Sequence, residues 1–135
     1  MSVLFVCSGN ICRSPLAEAI FKAQMTEAGV ASRFVVDSAG THGYHEGDFA
    51  DPRTRRVGRK YGLNVDSIAR PVADADFDRF DFIIAMDRGH RSELIARGGQ
   101  HRHATIRMMR EFDPESREQD VSDPYYGGDE GFEQM

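Results

Sequence analysis

The chain sets a cysteine six positions before an arginine, in Cys7-Ser8-Gly9-Asn10-Ile11-Cys12-Arg13, and Ser14-Pro15 follow at once. A thiolate is a strong nucleophile, and a guanidinium is a planar fork that holds two phosphate oxygens better than a point charge can. An unperturbed thiol, with a pKa of about 8.5, is mostly protonated at neutral pH, but inward-pointing N–H dipoles and a nearby arginine lower that value. Gly9 and Asn10 tolerate the positive φ that a tight curl demands. The spacing therefore predicts a cradle of backbone N–H groups around an anion, with Cys7 at its floor and Arg13 as its clamp. Ser14 is placed to donate its hydroxyl to the sulfur. In such a cradle Cys7 attacks phosphorus and becomes a phosphocysteine.

A cradle of this kind has to stand between a strand and a helix. Val3-Leu4-Phe5-Val6 is apolar and β-rich, too short for a helix and suited to a buried parallel strand. Pro15 fits a helix's first turn, with Ser14 expected as the cap. The helix is predicted to run to Ala28-Gly29 with Leu16, Ala19, Ile20 and Ala23 on its inner face. Phe34-Val35-Val36 opens a second strand that ends at Ser38-Ala39-Gly40, and a polar loop extends from Thr41 to about Ala50. Asp51-Pro52 starts a helix to Tyr61-Gly62, with Thr54, Val57 and Tyr61 expected inward and Arg53, Arg55, Arg56, Arg59 and Lys60 outward. Phe82 to Met86 reads as a third strand, Arg88 to Arg97 as a helix closed by Gly98-Gly99, and Ala104 to Met109 as a weaker fourth strand. This alternation predicts an α/β fold: a four-stranded parallel sheet flanked by helices on both faces, with the phosphate-binding loop after strand 1. Ligands of such sheets sit beyond the carboxyl ends of the strands, where Cys7 falls.

Composition narrows the function classes. A chain of 135 residues is expected to form one domain with an ordinary core. Its 17 basic and 22 acidic side chains give a net charge of −5, which argues against nucleic acid or an anionic membrane as partner. No apolar run approaches the roughly 18 residues of a membrane span, and the N-terminus does not read as a signal peptide. Two cysteines five residues apart are no secreted disulfide framework, so a cytoplasmic location is expected.

A second chemical cluster lies at Asp123-Pro124-Tyr125-Tyr126-Gly127. A phenol, with a pKa of about 10, leaves far more readily once protonated. A carboxylic acid over the leaving oxygen supplies that proton, then takes one from the water that hydrolyses the phosphocysteine. Asp123 is the candidate for both steps, and Tyr125 and Tyr126 would wall a pocket for an aromatic ring.

Together these segments resemble the low-molecular-weight protein tyrosine phosphatases. The likeness covers nearly the whole chain, through Cys-x5-Arg-Ser-Pro at residues 7–15, Ser38-Ala39-Gly40, Asp51-Pro52-Arg53, Ala85-Met86-Asp87 and Asp123-Pro124-Tyr125-Tyr126-Gly127. It implies a single domain over residues 1–135, no metal and no organic cofactor. It implies Cys7 as nucleophile, Arg13 as transition-state clamp and Asp123 as general acid and base. Ser8, Gly9, Asn10, Ile11, Cys12 and Ser14 would surround the phosphate, with Asn10 and Ser14 holding the loop. Tyr44 falls where relatives often place a tryptophan, on the rim beside Tyr125 and Tyr126. The implied partners are phosphotyrosine-containing proteins, a cognate tyrosine kinase among the candidates, with inorganic phosphate released.

The resemblance also marks departures and alternatives. His90 stands where relatives often carry asparagine, and Ser67 where some carry a loop-supporting histidine. Residues 127–135 stop where relatives begin a last helix, so that helix is expected to be missing or truncated. Relatives acting on phosphoarginine carry threonine at the position of Ile11; a bulky Ile11 beside two tyrosines favours a flat aromatic ring. A thiol redox enzyme of the arsenate-reductase kind would need relay cysteines downstream, and none follows Cys12. A catalytically dead binding module would have lost Cys7, Arg13 or Asp123. Residues 7 and 12 would lie about 17 Å apart in an extended strand but come within disulfide reach in a curled loop, so peroxide is expected to crosslink Cys7 to Cys12. The basic face from Arg53 to Lys60 and the pair His101 and His103 read as solvated surface, His42 and His45 as rim residues, and Asp87 as a hydrogen-bonding partner of loops near the site.

Overall fold

In a computed structural model of the chain, which describes residues 1–98 and 103–109, strand β1 (Ser2–Cys7) has five of its six residues buried. That is what a central strand covered on both faces requires. It pairs in parallel with β2 (Val35–Gly40) on one side and β3 (Phe82–Ala85) on the other, and β4 (Thr105–Met108) pairs in parallel outside β3. The sheet order is β2-β1-β3-β4. The chain thus winds outward in both directions from the β1–β3 junction, and the carboxyl ends of these two neighbours diverge into a crevice. The register sets Val6 opposite Ala85 and Cys7 opposite Gly40, so the candidate nucleophile lies at the lip of that crevice.

Alternation along β1 sorts the core into two layers. Leu4 and Val6 pack with Ile83, Ala85, Phe77, Phe80 and Leu94, beneath α3 (Asp76–Arg79) and α4 (Arg88–Gly98). Val3, Phe5 and Cys7 pack with Ala17, Ile84 and Met86, on the side of α1 (Arg13–Glu27). A short 3-10 turn at Ala31–Arg33 and the brief α3 were not anticipated, because neither is long enough to show a hydrophobic period.

Three local expectations are corrected. Ser14 does not cap α1: Cys12 occupies the N-cap without a side-chain bond, and Ser14 lies inside the first turn with its hydroxyl turned to the loop. Ile20 and Ala23 are exposed, while Arg13 to Ala19 are buried all round. The first two turns of α1 are enclosed by the sheet, the loop and α2 (Pro52–Lys60), so no single stripe describes them. Tyr61 points to solvent under Lys60, and the inner face of α2 is Thr54, Val57 and Gly58 instead. A Cβ on Gly58 would come 2.6 Å from Val65 Cγ2, which is why the helix approaches its neighbour there.

An apolar cavity of about 450 Å³ lies along the α1 side of the sheet, lined by Val3, Phe5, Phe21, Met25, Phe82 and Ile84 among others. None of the residues 7–13 lines it. No helix among the described residues is long and apolar enough to cross a membrane. The expectation about a last helix after residue 127 lies outside the described residues.

Candidate active site

Residues 8–12 form an arch between β1 and α1, and the scaffold grips it by its carbonyls. Thr41 donates its N–H to Cys7 O at 2.8 Å, His42 to Ser8 O at 3.0 Å, Asp51 to Ile11 O at 2.8 Å and Leu16 to Cys12 O at 3.3 Å. A trans peptide that turns its carbonyl one way turns the following N–H the other way. The N–H groups of Ser8, Gly9, Cys12 and Arg13 are thereby aimed away from the scaffold, two of them at the start of α1 with its partial positive charge. Asn10, buried with φ 59°, supplies the left-handed step that reverses the arch. Gly40 backs it: a Cβ there would meet Ser8 O at 2.6 Å, His42 O at 2.9 Å and Asn10 N at 3.2 Å.

The sulfur of Cys7 is buried and 3.0 Å from Ser14 Oγ. Asn10 Nδ2 donates to the same Oγ at 2.8 Å, and Asn10 Oδ1 accepts the Arg70 N–H at 3.1 Å. With an acceptor site of Ser14 engaged by Asn10, its single hydrogen has two acceptors in reach, Cys7 Sγ and Ala39 O at 3.4 Å. An ionised sulfur can only accept, so the hydroxyl hydrogen goes to a thiolate. The hydroxyl of Ser14 is thus a hydrogen-bond donor within reach of the candidate nucleophile.

Arg13 is 4% exposed, and its Nη1 donates to Asp87 Oδ2 at 2.9 Å. Asp87 follows β3 and caps α4, accepting the His90 N–H on Oδ1 at 2.8 Å. The His90 ring is buried beside it, with Nδ1 3.2 Å from Asp87 Oδ1 and Nε2 2.8 Å from Ser8 Oγ. Burial opposes ionisation of Asp87, but the His90 amide and ring and the Arg13 guanidinium outweigh it and hold the carboxyl below its usual range. The Arg13 guanidinium is thus aimed by a carboxylate across the crevice.

A buried thiol, a buried guanidinium and an arch of aligned N–H groups at a helix start form a site for a tetrahedral oxyanion. The family model described as low molecular weight phosphotyrosine protein phosphatase matches residues 2–135. The chain belongs to that family. It is 46% identical to a low molecular weight protein-tyrosine-phosphatase of Streptomyces coelicolor, over 98% of this chain and 82% of that one. A solved protein tyrosine phosphatase of Entamoeba histolytica, with Hepes in its active site, superposes with TM-score 0.95 at 46% identity, covering 99% of this chain and 86% of that one. A drosophila arginine phosphatase superposes with TM-score 0.90 at 32% identity, covering 99% and 87%.

In this phosphatase the loop candidates Cys7, Ser8, Gly9, Asn10, Ile11, Cys12, Arg13 and Ser14 come together as one arch. Ile11 is buried against Cys12, Val57 and Ala69, so the expected apolar wall is mostly turned into the core. Tyr44 is 78% exposed and stacks on His42, ring centroids 5.0 Å apart and planes 3° from parallel, which forms a projecting rim wall. His45 lies over the arch, since a Cβ on Gly9 would come 2.9 Å from its Cδ2. Asp123, Tyr125 and Tyr126 lie outside the described residues, as does His101. His103 pairs with Asp81 at 2.6 Å, and no cluster fit to hold a metal occurs among the described residues.

Sequence reasoning missed the loop's outside supports. Asp87 was expected to bond nearby loops and does so through Arg13; His90 was noted only as a departure. The signal available was its spacing, three residues after an aspartate just past a strand, which puts both at a helix start. Arg70 left no signal, because it holds Asn10 through its backbone. Ser67 Oγ is buried and makes no hydrogen bond among the described residues, so it gives the loop no hydrogen bond of its own.

Proposed function

We propose that the phosphatase hydrolyses phosphotyrosine in proteins through a phosphocysteine on Cys7. The Cys7 sulfur attacks phosphorus as the bond to the phenolic oxygen breaks, and Asp123 protonates the departing phenol. Asp123, now a carboxylate, takes a proton from water as that water attacks phosphorus; the sulfur–phosphorus bond breaks and inorganic phosphate leaves. Arg13 and the arch N–H groups hold the equatorial oxygens, where charge is stabilised in both transition states. The observation that carries this reading is the buried Cys7 sulfur 3.0 Å from a hydroxyl at the start of α1, with Arg13 buried beyond it.

Tyr44, with Tyr125 and Tyr126 from the Asp-Pro turn, would receive the ring. We infer a preference for phosphotyrosine over phosphoarginine, since Ile11 offers no hydroxyl where arginine-directed relatives offer one. Likeness to the drosophila arginine phosphatase makes the direct comparison necessary. We further infer a cytoplasmic site of action, a phosphorylated kinase as one candidate substrate, and capture of a Cys7 sulfenic acid by the Cys12 thiol, with loss of water, after peroxide exposure. Cys7 and Cys12 are buried and not joined in a disulfide, at the foot and the far end of one short loop, which supports that capture. A Cys7–Cys12 crosslinked peptide in mass spectra of the oxidised protein tests it.

The deciding experiment is hydrolysis of para-nitrophenyl phosphate and of phosphotyrosine and phosphoarginine peptides by the parent, Cys7→Ser and Asp123→Ala. Expected are no turnover for Cys7→Ser, a fall of about 10²-fold or more for Asp123→Ala, and weak phosphoarginine hydrolysis by the parent. Activity that survives Cys7→Ser refutes the mechanism, and equal turnover of both peptides refutes the preference.

A further inference from the structure

Four contacts close a ring around the phosphate arch: Arg13 Nη1 to Asp87 Oδ2 at 2.9 Å, the His90 N–H to Asp87 Oδ1 at 2.8 Å, His90 Nδ1 to the same oxygen at 3.2 Å, and His90 Nε2 to Ser8 Oγ at 2.8 Å. His90 therefore reaches both ends of the arch, the residue after the nucleophile through its ring and Arg13 through its backbone N–H on Asp87. We propose that His90 is a positioning residue for phosphate transfer, locking the Ser8 end of the arch to the Arg13 end across the β1–β3 crevice. The proposal rests on the phosphatase reading of the loop.

The physical case starts from what the arch must do. Its N–H groups stabilise the transition state only if they are fixed before charge develops, and an error of about 1 Å in such a constellation costs on the order of 10²-fold in rate. The scaffold holds Ser8 O and Ile11 O by backbone bonds, but a carbonyl held by one bond can still swivel. The Ser8–His90 bond adds a second point on the same residue, and His90 is itself buried in the first turn of α4, where it has little freedom. The bond persists in either ring tautomer, because a serine hydroxyl both donates and accepts. Asp87 alone would aim Arg13 without reference to the arch; His90 makes the two move together.

The position of the linking atom separates this role from simple space filling. A glutamine side chain carries its terminal amide about as far out as Nε2, whereas an asparagine reaches only as far as Nδ1. His90→Gln is expected to keep kcat/KM for para-nitrophenyl phosphate within about threefold of the parent. His90→Asn and Ser8→Ala should each lose about tenfold, with inhibition by inorganic phosphate weakened by a similar factor. The double variant Ser8→Ala/His90→Asn should be no worse than the weaker single variant, since both remove one bond. Losses that multiply to about 100-fold in the double variant, equal losses for Gln and Asn, or a His90→Asn enzyme that turns over like the parent each overturn the proposal. Cys7→Ser, assayed alongside, keeps the two ideas separate: turnover there sinks the phosphatase reading, while a dead Cys7→Ser with multiplying losses sinks only the role of His90.

Discussion

At the scale of single residues, the hydroxyl of Ser14 is the most constrained donor in the site. Asn10 supplies its hydrogen bond from behind and Cys7 waits in front at 3.0 Å. Ser14→Ala removes the donor while leaving the helix start, which draws no cap from it. Turnover of para-nitrophenyl phosphate by Ser14→Ala is expected to fall by about tenfold, because the attacking sulfur loses its hydrogen-bond donor; an unchanged rate would show that the hydroxyl does nothing for the sulfur. Residues such as Cys7, Arg13 and Ser14 were legible because their chemistry and spacing are local. Asp87 was legible as a partner of nearby loops but not as the partner of Arg13, and the role of His90 was not legible at all, because they reach the arch from 74 and 82 positions away in sequence, and only the adjacency of β1 and β3 brings them there.

At the scale of elements, the loop is held by the ends of secondary structure, and two ends can be tested separately. Asp51 caps α2, accepting the Arg53 N–H at 2.8 Å while its own N–H holds Ile11 O. Asp51→Ala is expected to cost about 1–2 kcal/mol in urea denaturation, with the arch bond retained because it is made by backbone. Gly40 ends β2 against the back of the arch, and the 2.6 Å approach to Ser8 O leaves no room for a methyl. Gly40→Ala should therefore lose phosphate affinity by more than its loss of stability explains, as read by phosphate inhibition beside a melting curve; parallel modest losses would mean that the arch tolerates the shift. Strand periodicity made β1 to β4 and their parallel order of appearance legible, along with Gly29 as the stop of α1 and Asp51 as the start of α2. The faces of α1 and α2 were harder. Arg13 to Ala19 are buried on every side for the sake of the loop, and that functional enclosure hides the apolar stripe a surface helix would show.

At the scale of the whole molecule, the sheet order was not readable from periodicity, since alternation of strands and helices fixes parallel pairing but not which strands are neighbours. The order also distributes charge, and that has a consequence in acid. Asp51, Asp81 and Asp87 tie loop, strand edge and clamp to their neighbours, and all three carboxyls lie below their ordinary range in the folded protein. Asp81 is lowered to about 2 by its bonds to His103 and Ser2, an exposed arrangement that solvent screens. For Asp51 burial pulls the other way, and the bonds from Arg53 prevail. A carboxyl whose folded pKa is depressed binds fewer protons folded than unfolded, so its stabilisation is complete above the unfolded value of about 3.9 and is lost as pH falls through the folded one. Urea denaturation midpoints are accordingly expected to fall steadily from pH 5 to pH 3, with little change between pH 5 and pH 6 from these groups. Asp87→Asn should start lower and show a shallower fall, because it has already surrendered one ionisation-linked tie. A parent whose midpoint is flat down to pH 3, or an Asp87→Asn protein as acid-sensitive as the parent, would remove the carboxylates from the account of what holds the crevice together.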